Sequence, residues 1–475
     1  MPSIPMQTTI SPHDQSAVCT RPLVSEEQLD VVISDAVKAQ KSWKRVSIDE
    51  RIQIAEKWMV EFERLKDVLS EEITVQMGRP ISQGPGEVGG ALFRAKHLIS
   101  IAKDCLKDIP QTATDTDALK RYIKREPLGV IAIVAPWNFP YLTVVNSLVP
   151  AILAGNSVII KPSPQTPSAA ERFMTTFAAA GLPQSVIQVI HADMPTTAKL
   201  AADGRVGFLS FTGSVAGGTI LAKAAAQGEG FKGVGLELGG KDPAYVRSDV
   251  DVKWAAAELV DGAMYNSGQS CCSVERIYVH SSVYDEFVQE VVNVASAYKL
   301  GDPQDKNTNL GPVVSLASAE RIRKQVKAAI DAGAKNLVDE SKFEAAKEGT
   351  TYVAPVVLVD VNHEMEVMME ETFGPVVGIQ KVDSDEEALQ LMNDSTYGLT
   401  ASVWTNIENQ ESADAFNMFS SELETGTVFL NRSDAPDPAL CWTGVKNSGR
   451  GVSLSTFGFD QLTRAKSVNM KVKTT

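Results

Sequence analysis

The sequence predicts an α/β protein in which helices cover both faces of parallel sheets. Three observations predict this fold class: helical periodicity near the N-terminus, short apolar runs that alternate with helical stretches from Leu128, and a second alternating region after Gly240. A succession of strand, helix and strand favours parallel pairing, because the helix carries the chain back across the sheet. With 475 residues the chain is longer than a single core needs, so we expect two or three domains.

The first predicted elements are helices, which occupy residues 25–105. In this region the segment SIDERIQIAEKWMVEFERLKDVLSEEI has apolar residues at steps of three and four positions, as amphipathic helices do. From Leu128 the predicted strands are GVIAIVAP, SVIIKPS, SVIQVIHA and VGFLSFTG. A helix from about Pro167 to Ala180 ends at Gly181, and GGTILAKAAAQ forms another.

The second alternating region indicates a second α/β domain. Its predicted helices are SVYDEFVQEVVNVASAY and SAERIRKQVKAAIDAGA, and its predicted strands include VERIYVH and YVAPVVLVDV. Two further segments, DALKRYIKREP and LTRAKSVNMKVKT, alternate charged and apolar positions and are expected to be strands. These two strands can pair with each other or across the edge of another subunit.

The composition is that of an ordinary globular protein, with 44% hydrophobic and 22% charged residues. The balance of 45 basic and 59 acidic residues gives a net charge of −14, which argues against nucleic acid or an anionic membrane as a partner. No segment approaches the roughly 20 apolar residues of a membrane span, and the N-terminal segment lacks the pattern of a signal peptide. We therefore expect a cytoplasmic protein.

The five cysteines are Cys19, Cys105, Cys271, Cys272 and Cys441. They show neither a CxxC motif nor the Cys and His spacing of a zinc site, so we expect neither a disulfide framework nor a bound metal. Adjacent Cys271 and Cys272 make a poor disulfide, because the ring that joins them strains the peptide. These two residues are therefore either packing side chains or a nucleophile with its neighbour.

Two stretches have the features of a cofactor site. FTGSVAGG, from Phe211 to Gly218, is a small-residue turn between a predicted strand and a predicted helix, where backbone N–H groups can approach a pyrophosphate. A plain connection between the two elements is the alternative. Lys161 in VIIKPSPQTP follows a strand, where it can hold a ribose or a phosphate, or be a solvated lysine.

Two other stretches place polar side chains among apolar residues. Asn138 in VAPWNFP can donate to a developing oxyanion or can stabilise a turn. Glu237 in LELGGKDP can act as a base on water or form a surface salt bridge. Its apolar neighbours disfavour the salt bridge.

The motifs and their order along the chain resemble the aldehyde dehydrogenase superfamily. They are PWNFP, KPS with a following TP, FTGS, LELGGKDP, GQSCC, EETFGPVV and GTVFLN. The resemblance extends from the N-terminal helices to the final strand, and it implies a Rossmann-type cofactor domain, an α/β catalytic domain and a small β oligomerisation domain. The implied bounds are 1–106 and 127–239 for the NAD(P)-binding domain, 240–445 for the catalytic domain, and 107–126 with 446–475 for the oligomerisation domain.

The resemblance also implies hydrolytic oxidation of an aldehyde to the carboxylic acid, with NAD or NADP as the cofactor. Cys271 of GQSCC matches the nucleophile, Glu237 the glutamate that activates water, and Asn138 the oxyanion-hole asparagine. The Cys271 thiolate attacks the aldehyde, and the resulting thiohemiacetal loses a hydride to leave a thioester. The resemblance implies that Glu237 then activates the water that hydrolyses this thioester, or that it assists in deprotonating Cys271.

For the cofactor, the resemblance implies contacts from Trp137, Lys161, Ser163, Pro164, Gly213, Ser214, Gly218, Leu238, Glu371 and Phe373. Two departures leave the choice between NAD and NADP open. NAD-preferring members often have a glutamate where this chain has Pro164, so a 2′-phosphate meets no repulsion there. In VIHADMP, His191 and Asp193 stand where relatives commonly have glycines, and an inward Asp193 would disfavour a phosphate.

The expected aldehyde tunnel is lined by Thr143, Asn146, Tyr265, Ser270, Cys272 and Arg432. Its polar residues make it less apolar than a fatty aldehyde favours, and Arg432 is a candidate partner for a carboxylate unless Asp434 neutralises it. Exposed strand edges favour a homodimer or homotetramer. The alternatives are a CoA-acylating semialdehyde dehydrogenase, which generally lacks the glutamate, and a non-catalytic relative, which would have lost the nucleophile, the asparagine or the glutamate.

Overall fold

A computed structural model describes residues 5–111, 116 and 118–473 of the chain. Within these residues the helices are α1 (Glu26–Trp43), α2 (Ile48–Glu63), α3 (Lys66–Met77), α4 (Gly84–Leu106), α5 (Pro140–Ala154), α6 (Pro167–Ala179), α7 (Met194–Ala202), α8 (Val215–Gln227), α9 (Val252–Met264), α10 (Tyr284–Ser296), α11 (Leu316–Asp331), α12 (Glu366–Met369), α13 (Asp385–Asn393), α14 (Gln410–Glu422) and α15 (Phe457–Asp460). The strands are β1 (Met6–Ile10), β2 (Ala17–Pro22), β3 (Ile109–Pro110), β4 (Leu119–Pro127), β5 (Val130–Val134), β6 (Ser157–Lys161), β7 (Ile187–Val189), β8 (Val206–Thr212), β9 (Gly233–Glu237), β10 (Asp242–Val246), β11 (Val274–His280), β12 (Lys335–Asn336), β13 (Val356–Val359), β14 (Val376–Val382), β15 (Tyr397–Gly398), β16 (Thr400–Trp404), β17 (Thr427–Leu430), β18 (Val445–Lys446), β19 (Gly449–Arg450) and β20 (Thr463–Lys471).

The predicted α/β architecture is confirmed by a six-stranded sheet in the order β19, β9, β8, β5, β6, β7. Strands β9 to β7 run parallel, and β19 pairs antiparallel with β9 at the edge. Every residue of β5 and β6 is buried, as expected for strands that helices cover on both faces. The four strands predicted after Leu128 correspond to β5, β6, β7 and β8.

The second predicted α/β region forms a seven-stranded sheet in the order β12, β13, β14, β11, β10, β16, β17. Strands β13 to β17 are parallel, and the short β12 is antiparallel. The predicted helices of this region are α10 and α11, and the predicted strands are β11 and β13.

A small three-stranded sheet has the order β20, β4, β3. Strand β4 pairs antiparallel with β20 from Leu119 opposite Lys471 to Pro127 opposite Thr463. The predicted pairing of these two segments is therefore confirmed, although their terminal residues Asp117 and Thr474 lie outside the described residues. Most of β20 is exposed.

The N-terminal helices pack against the rest of the cofactor-side core through aromatic rings. The Trp58 ring of α2 stacks on Phe177 of α6 at 4.5 Å between centroids, and Phe62 stacks on Phe173 at 5.1 Å. The Trp58 indole also donates to the Thr176 hydroxyl at 3.0 Å. These rings belong to the same buried cluster as the apolar residues of β5 and β6, so the helices hold the sheet rather than forming a separate unit.

The hairpin of β1 and β2 was not expected from the sequence. Its strands are short and mostly exposed, so they lack the buried alternation that marks a strand. The Thr9 hydroxyl donates to the Pro164 carbonyl at 2.7 Å, and the Arg21 guanidinium pairs with Glu171 of α6. The hairpin therefore packs on the loop that follows β6.

The chemistry-bearing motifs follow the carboxyl ends of parallel strands. Asn138 comes shortly after β5, Lys161 ends β6, Ser214 follows β8 and Glu237 ends β9. Open α/β sheets bind ligands at this edge, because the loops there diverge and leave a crevice.

Candidate active site

Two cavities meet at Cys271 and Glu237. The larger has a volume of about 620 Å³, and its lining includes Asn138 and all the expected cofactor residues except Gly218, namely Trp137, Lys161, Ser163, Pro164, Gly213, Ser214, Leu238, Glu371 and Phe373. The smaller has a volume of about 260 Å³, and its lining includes Thr143, Asn146, Tyr265, Ser270 and Cys272. Thr212, Glu237 and Cys271 line both cavities.

The loop that carries Cys271 has an unusual backbone. After α9 the chain makes a tight turn in which Asn266, Ser267 and Gly268 have φ values of 53°, 57° and 68°. A left-handed conformation costs energy for residues with a Cβ atom, and runs of it occur where surrounding contacts enforce it. A Cβ atom on Gly268 would lie 2.1 Å from the Gly374 carbonyl oxygen, so only glycine fits there.

Buried amides hold this loop in place. The Asn266 side chain donates to the Asn138 and Gln269 carbonyls, both at 3.3 Å, and Gln269 accepts from the Val314 backbone at 2.7 Å. The Asn138 amide donates to the Gln269 carbonyl at 3.2 Å. Because a carboxamide has two N–H donors, Asn138 keeps a second one for a group in the larger cavity.

The surroundings of the Cys271 thiol favour its protonated form. The neighbouring Cys272 thiol and burial raise the pKa of Cys271 well above its usual value. A thiol is a weaker nucleophile than a thiolate, so the arrangement requires a base or a nearby positive charge before Cys271 can attack.

Glu237 supplies a carboxylate at the same point. Its two oxygens accept hydrogen bonds from Ser453 and, at 3.4 Å, from the Thr212 hydroxyl. Burial raises the pKa of Glu237, and these hydrogen bonds oppose the shift. A carboxylate with a raised pKa is a stronger base than an exposed one, which suits proton transfer near neutral pH.

The end of the larger cavity nearest β6 has the features of an anion site. Lys161 is 9% exposed, and its amino group has no hydrogen-bond partner among the described residues. Burial lowers the pKa of Lys161 to about 8, while Asp193 opposes the shift. The N-terminus of α8 faces the same cavity through Ser214, Val215 and Ala216, and a helix N-terminus attracts phosphate groups.

The other end of the larger cavity carries Glu371 and two aromatic rings. A Glu371 carboxylate oxygen accepts from the Gly240 backbone at 3.0 Å, and burial together with Glu275 raises the pKa of Glu371 to about 7. The rings of Trp137 and Phe373 meet edge to face at 5.5 Å. This end of the cavity has a carboxylate that can accept hydrogen bonds from hydroxyl groups, and flat aromatic rings lie beside it. The combination suits a ribose that carries a ring.

Three residues singled out near the cofactor site lie outside its lining. Gly218 packs α8 against β9, because a Cβ atom there would come within 2.7 Å of Leu238. His191 pairs with Glu171 at 3.0 Å, and Asp193 is exposed and caps α7 by accepting from Thr196 at 2.9 Å. Asp193 is therefore not part of the cavity lining, although its carboxylate still acts to raise the pKa of Lys161.

The smaller cavity combines aromatic, polar and charged walls. Besides the expected tunnel residues it is lined by Arg94, Phe139, Leu142, Asp261, Asp434 and Trp442. Burial and the Asp261 carboxylate raise the pKa of Asp434 to about 7. Arg432, which the sequence placed in the tunnel, is exposed and is not part of this lining.

Comparison with known proteins is consistent with this geometry. The model of the Aldehyde dehydrogenase family matches residues 3–468. The chain belongs to the aldehyde dehydrogenase family. It is 31% identical over 460 residues to the succinate semialdehyde dehydrogenase Sad of Escherichia coli, whose name gives NAD(P)+ as the cofactor, with 97% of each chain covered.

Solved structures of aldehyde dehydrogenases share the fold. The NADP+ complex of succinic semialdehyde dehydrogenase from Streptococcus pyogenes has a TM-score of 0.90 at 30% identity, covering 97% of this chain and 99% of that one. PnpE from Pseudomonas sp. WBC-3 in complex with nicotinamide adenine dinucleotide has a TM-score of 0.92 at 28% identity, covering 99% and 95%. The predicted family and fold class are confirmed.

In this aldehyde dehydrogenase the sequence interpretation missed the ion pair that supports the site. The fully buried Arg79 guanidinium donates to Glu87, to the Asn138 carbonyl and, at 3.2 Å, to the Asn266 amide oxygen. Glu87 also accepts from the Tyr141 backbone at 2.8 Å. One charged pair thus joins α4 to the Asn138 and Cys271 loops. Its only sequence signal is a glutamate among small residues at the start of a helix.

Among the residues that the structure describes, no group of three or more His, Cys, Asp or Glu side chains is arranged to hold a metal ion. None of the helices within the described ranges is long and apolar enough to cross a membrane.

Proposed function

We propose that the chain is an NAD(P)-dependent aldehyde dehydrogenase that oxidises its substrate while the substrate is bound to Cys271. The observation that carries this proposal is the position of Cys271 and Glu237 at the meeting point of two cavities. One cavity suits a dinucleotide and the other suits a small organic molecule. A hydride passes only between atoms in contact, so donor and acceptor must meet at such a point.

The charged groups of the larger cavity favour a bound dinucleotide. A buried lysine amino group without a partner is costly, and a phosphate or ribose beside Lys161 removes that cost. The N-terminus of α8 is suited to the pyrophosphate, and Glu371 to the second ribose. When it is bound, NAD(P)+ supplies the acceptor for the hydride that leaves the aldehyde carbon.

Cys271 forms the bond to the substrate. Its thiolate adds to the aldehyde carbon, and the carbonyl oxygen becomes an oxyanion. The free N–H of the Asn138 amide and the Cys271 backbone N–H stabilise that oxyanion; one such donor is typically worth about 3 to 4 kcal/mol. Loss of hydride from the carbon restores the carbonyl and leaves a thioester on Cys271.

Glu237 acts as the base in this proposal. Its carboxylate first takes the proton of the Cys271 thiol, whose raised pKa makes a base necessary. After it has released that proton to solvent, Glu237 takes a proton from the water that attacks the thioester and returns it to the departing Cys271 thiolate, so that the acid leaves and the thiol is regenerated. The net reaction consumes one aldehyde, one water and one NAD(P)+, and yields the carboxylic acid, NAD(P)H and a proton.

Both NAD and NADP fit the adenosine end of the cavity. The carboxylates among the described lining residues are Glu237, Glu370 and Glu371, and β9, which ends at Glu237, is three strands away from β6. Strands lie about 4.8 Å apart, so a 2′-phosphate beside Lys161 is far from that carboxylate. We therefore propose that NADP is accepted at Lys161 as readily as NAD.

The small three-stranded sheet supports a proposal about how subunits assemble. We propose that residues 1–106 with 127–239 bind the cofactor, that 240–445 carry the nucleophile, and that 107–126 with 446–475 join subunits into a homodimer or homotetramer in the cytoplasm. The exposed edge strand β20 supports the subunit contact, because unpaired strand edges favour pairing with another chain.

Comparison of Cys271→Ala with Cys272→Ala tests the proposed function. Both variants are assayed for NAD(P)H formation, by ultraviolet absorbance, with aliphatic, aromatic and charged aldehydes. We expect Cys271→Ala to abolish turnover, because the bond to the substrate cannot form. Cys272→Ala should retain most of it, because Cys272 lines the smaller cavity and forms no bond to the substrate, although its thiol raises the pKa of Cys271. Cofactor binding, measured by calorimetry, should survive in both variants.

Three outcomes would contradict the proposal. Equal loss of turnover in the two variants would mean that the nucleophile is another group. Turnover that requires coenzyme A would replace the hydrolytic reaction by acyl transfer to a thiol. A folded wild-type protein that binds cofactor but oxidises no aldehyde of the panel would exclude the dehydrogenase function.

A further inference from the structure

Arg94 is a buried cation on the wall of the smaller cavity. It lies in α4, is 8% exposed, and shares this lining with Cys271, Cys272 and Glu237. The mechanism described above assigns it no role. A buried charge costs several kcal/mol unless an opposite charge or a full set of hydrogen bonds compensates it, so its partners are informative.

The partners of Arg94 are few. Its Nη1 atom donates to the Leu142 carbonyl and to the Asn146 side-chain oxygen, both at 3.1 Å. By contrast, Arg79, which is fully buried, forms an ion pair with Glu87. Among the described residues, no carboxylate lies within ion-pair distance of Arg94, and its Nε and Nη2 atoms donate to no protein group.

The two unused nitrogen atoms of Arg94, Nε and Nη2, are suited to binding a carboxylate. The Nε and Nη2 hydrogens of an arginine are parallel and match the two oxygens of a carboxylate. Nη1 is held by Leu142 and Asn146, which fixes the plane of the guanidinium. Burial lowers the pKa of Arg94, and Glu237 opposes this, yet a guanidinium stays protonated in proteins.

The same cavity also contains acidic groups, which favour a cationic aldehyde instead. Asp261 and Asp434 are part of its lining, but burial raises the pKa of both, that of Asp434 to about 7. The Asp434 carboxyl is therefore partly protonated near neutral pH, whereas Arg94 keeps its full charge. The volume of about 260 Å³ is below the roughly 300–1,000 Å³ of typical ligand sites, which indicates a short substrate.

We propose that Arg94 binds a carboxylate at the far end of a short aldehyde, so that the preferred substrate is a semialdehyde rather than a neutral or cationic aldehyde. This inference rests on the proposed dehydrogenase function. Arg94 then determines specificity by pairing with the substrate, and takes no part in forming or breaking bonds. Arg432, which the sequence suggested as the partner of a carboxylate, plays no role in this recognition.

The test compares three aldehydes of similar length: succinate semialdehyde, its methyl ester, and 4-trimethylammoniobutanal. For the wild-type enzyme we expect kcat/KM to be highest for succinate semialdehyde. In Arg94→Met, kcat/KM for succinate semialdehyde should fall by about 100-fold, mainly through KM, because a buried charge pair is lost. For the methyl ester it should change by less than about 3-fold, since no charge pair is involved.

Two variants serve as controls. Arg432→Met removes an exposed arginine that does not line the cavity, and it should leave all three substrates unaffected. Arg94→Lys should restore part of the preference for the anion, because the charge remains while the paired donors are lost. A merely structural role for Arg94 would instead lower kcat/KM for the semialdehyde and the ester alike, which would overturn the proposal.

A second measurement uses the wild-type enzyme alone and remains decisive if Arg94→Met does not fold. With the methyl ester as the substrate, succinate should inhibit competitively and succinamide should not. Equal inhibition by both, or a wild-type preference for the ester or the cation, would overturn the assignment of Arg94 while leaving the dehydrogenase function intact. A lack of turnover with every aldehyde would instead mean that the proposed function has failed.

Discussion

At the scale of single residues, the chemistry of Glu237 depends on opposing effects at one carboxylate. Burial raises its pKa, while the hydrogen bonds from Ser453 and Thr212 lower it. A base must be ionised to accept a proton, so turnover should decline as the pH falls through this pKa. Because the pKa is raised, the decline should occur at a higher pH than for an exposed glutamate.

Replacement of Ser453 by alanine tests this balance. The variant loses a hydrogen bond that stabilises the ionised form, so the pKa of Glu237 should rise further and the acidic limb of the kcat profile should move to higher pH. The measurement is kcat against pH at saturating aldehyde and cofactor. At the alkaline plateau, turnover should be close to that of the wild type.

Ser455→Ala is the matched control, since Ser455 lies two residues away and contacts Cys441 rather than Glu237. Its profile should coincide with that of the wild type. Glu237→Gln should remove the limb, because no carboxylate titrates there, and should slow both the formation of the thioester on Cys271 and its hydrolysis. An acyl adduct, once formed, should therefore persist and be visible by mass spectrometry. An unshifted limb in Ser453→Ala would show that another group controls it.

At this scale the sequence pointed to the proposed reacting side chains more readily than to the residues that support them. Glu237 and Cys271 were recognisable because their neighbours in sequence form motifs. Arg79 and Arg94 were not, because their partners are distant: Arg79 contacts Asn266, and Arg94 contacts Asn146. Such contacts depend on tertiary packing, which periodicity and local motifs do not encode.

At the scale of elements, the turn between α9 and β11 determines where the nucleophile lies. Its left-handed residues bring the chain back towards β5, where Asn138 follows, and amide hydrogen bonds join the two loops. The strands and helices around it were predictable, since buried runs and amphipathic stretches produce clear periodicities. The turn was not, because its conformation is imposed by groups far away in sequence.

Gly268→Ala tests whether this turn positions Cys271. The added methyl group would collide with the Gly374 carbonyl, so the turn must shift, and a displacement of about 1 Å at a reacting group lowers turnover by about 100-fold. The measurement is kcat for an aldehyde that the wild type oxidises, together with the free energy of unfolding by urea.

The matched control is Gly333→Ala. Gly333 also has a positive φ, 111°, but a Cβ atom there meets nothing within 4 Å. This variant should lose about 1 kcal/mol of unfolding free energy from backbone strain and keep its turnover. Similar kcat values for the two variants would refute the positioning role of the turn.

At the scale of the whole molecule, the three-stranded sheet contributes no residue to the described lining of either cavity. Strand β20 pairs on one side only, and two large apolar side chains at and just beyond its C-terminal end, Met470 and Val472, are exposed. Exposed apolar groups beside an open strand edge are typical of subunit contacts. The sequence predicted the pairing of β4 with β20, whereas the extra strand β3 is too short to show a pattern.

We expect light scattering to give a mass two or four times that of the chain. The double substitution Met470→Lys with Val472→Lys should dissociate the assembly, because buried lysines would oppose contact. Val445→Lys, which charges an exposed apolar residue outside this sheet, should not. A monomeric wild type would contradict the proposed assembly.

The junction shared by the two cavities also has a consequence for inhibitor design. Since only Thr212, Glu237 and Cys271 are common to the described linings, a compound built for the smaller cavity can be selective without resembling a dinucleotide. An electrophile on such a compound would reach the thiol from the aldehyde side. Selectivity among related dehydrogenases would then depend on the residues that line the smaller cavity. The compound would not need to occupy the larger cavity, whose dinucleotide ligand is shared by many enzymes.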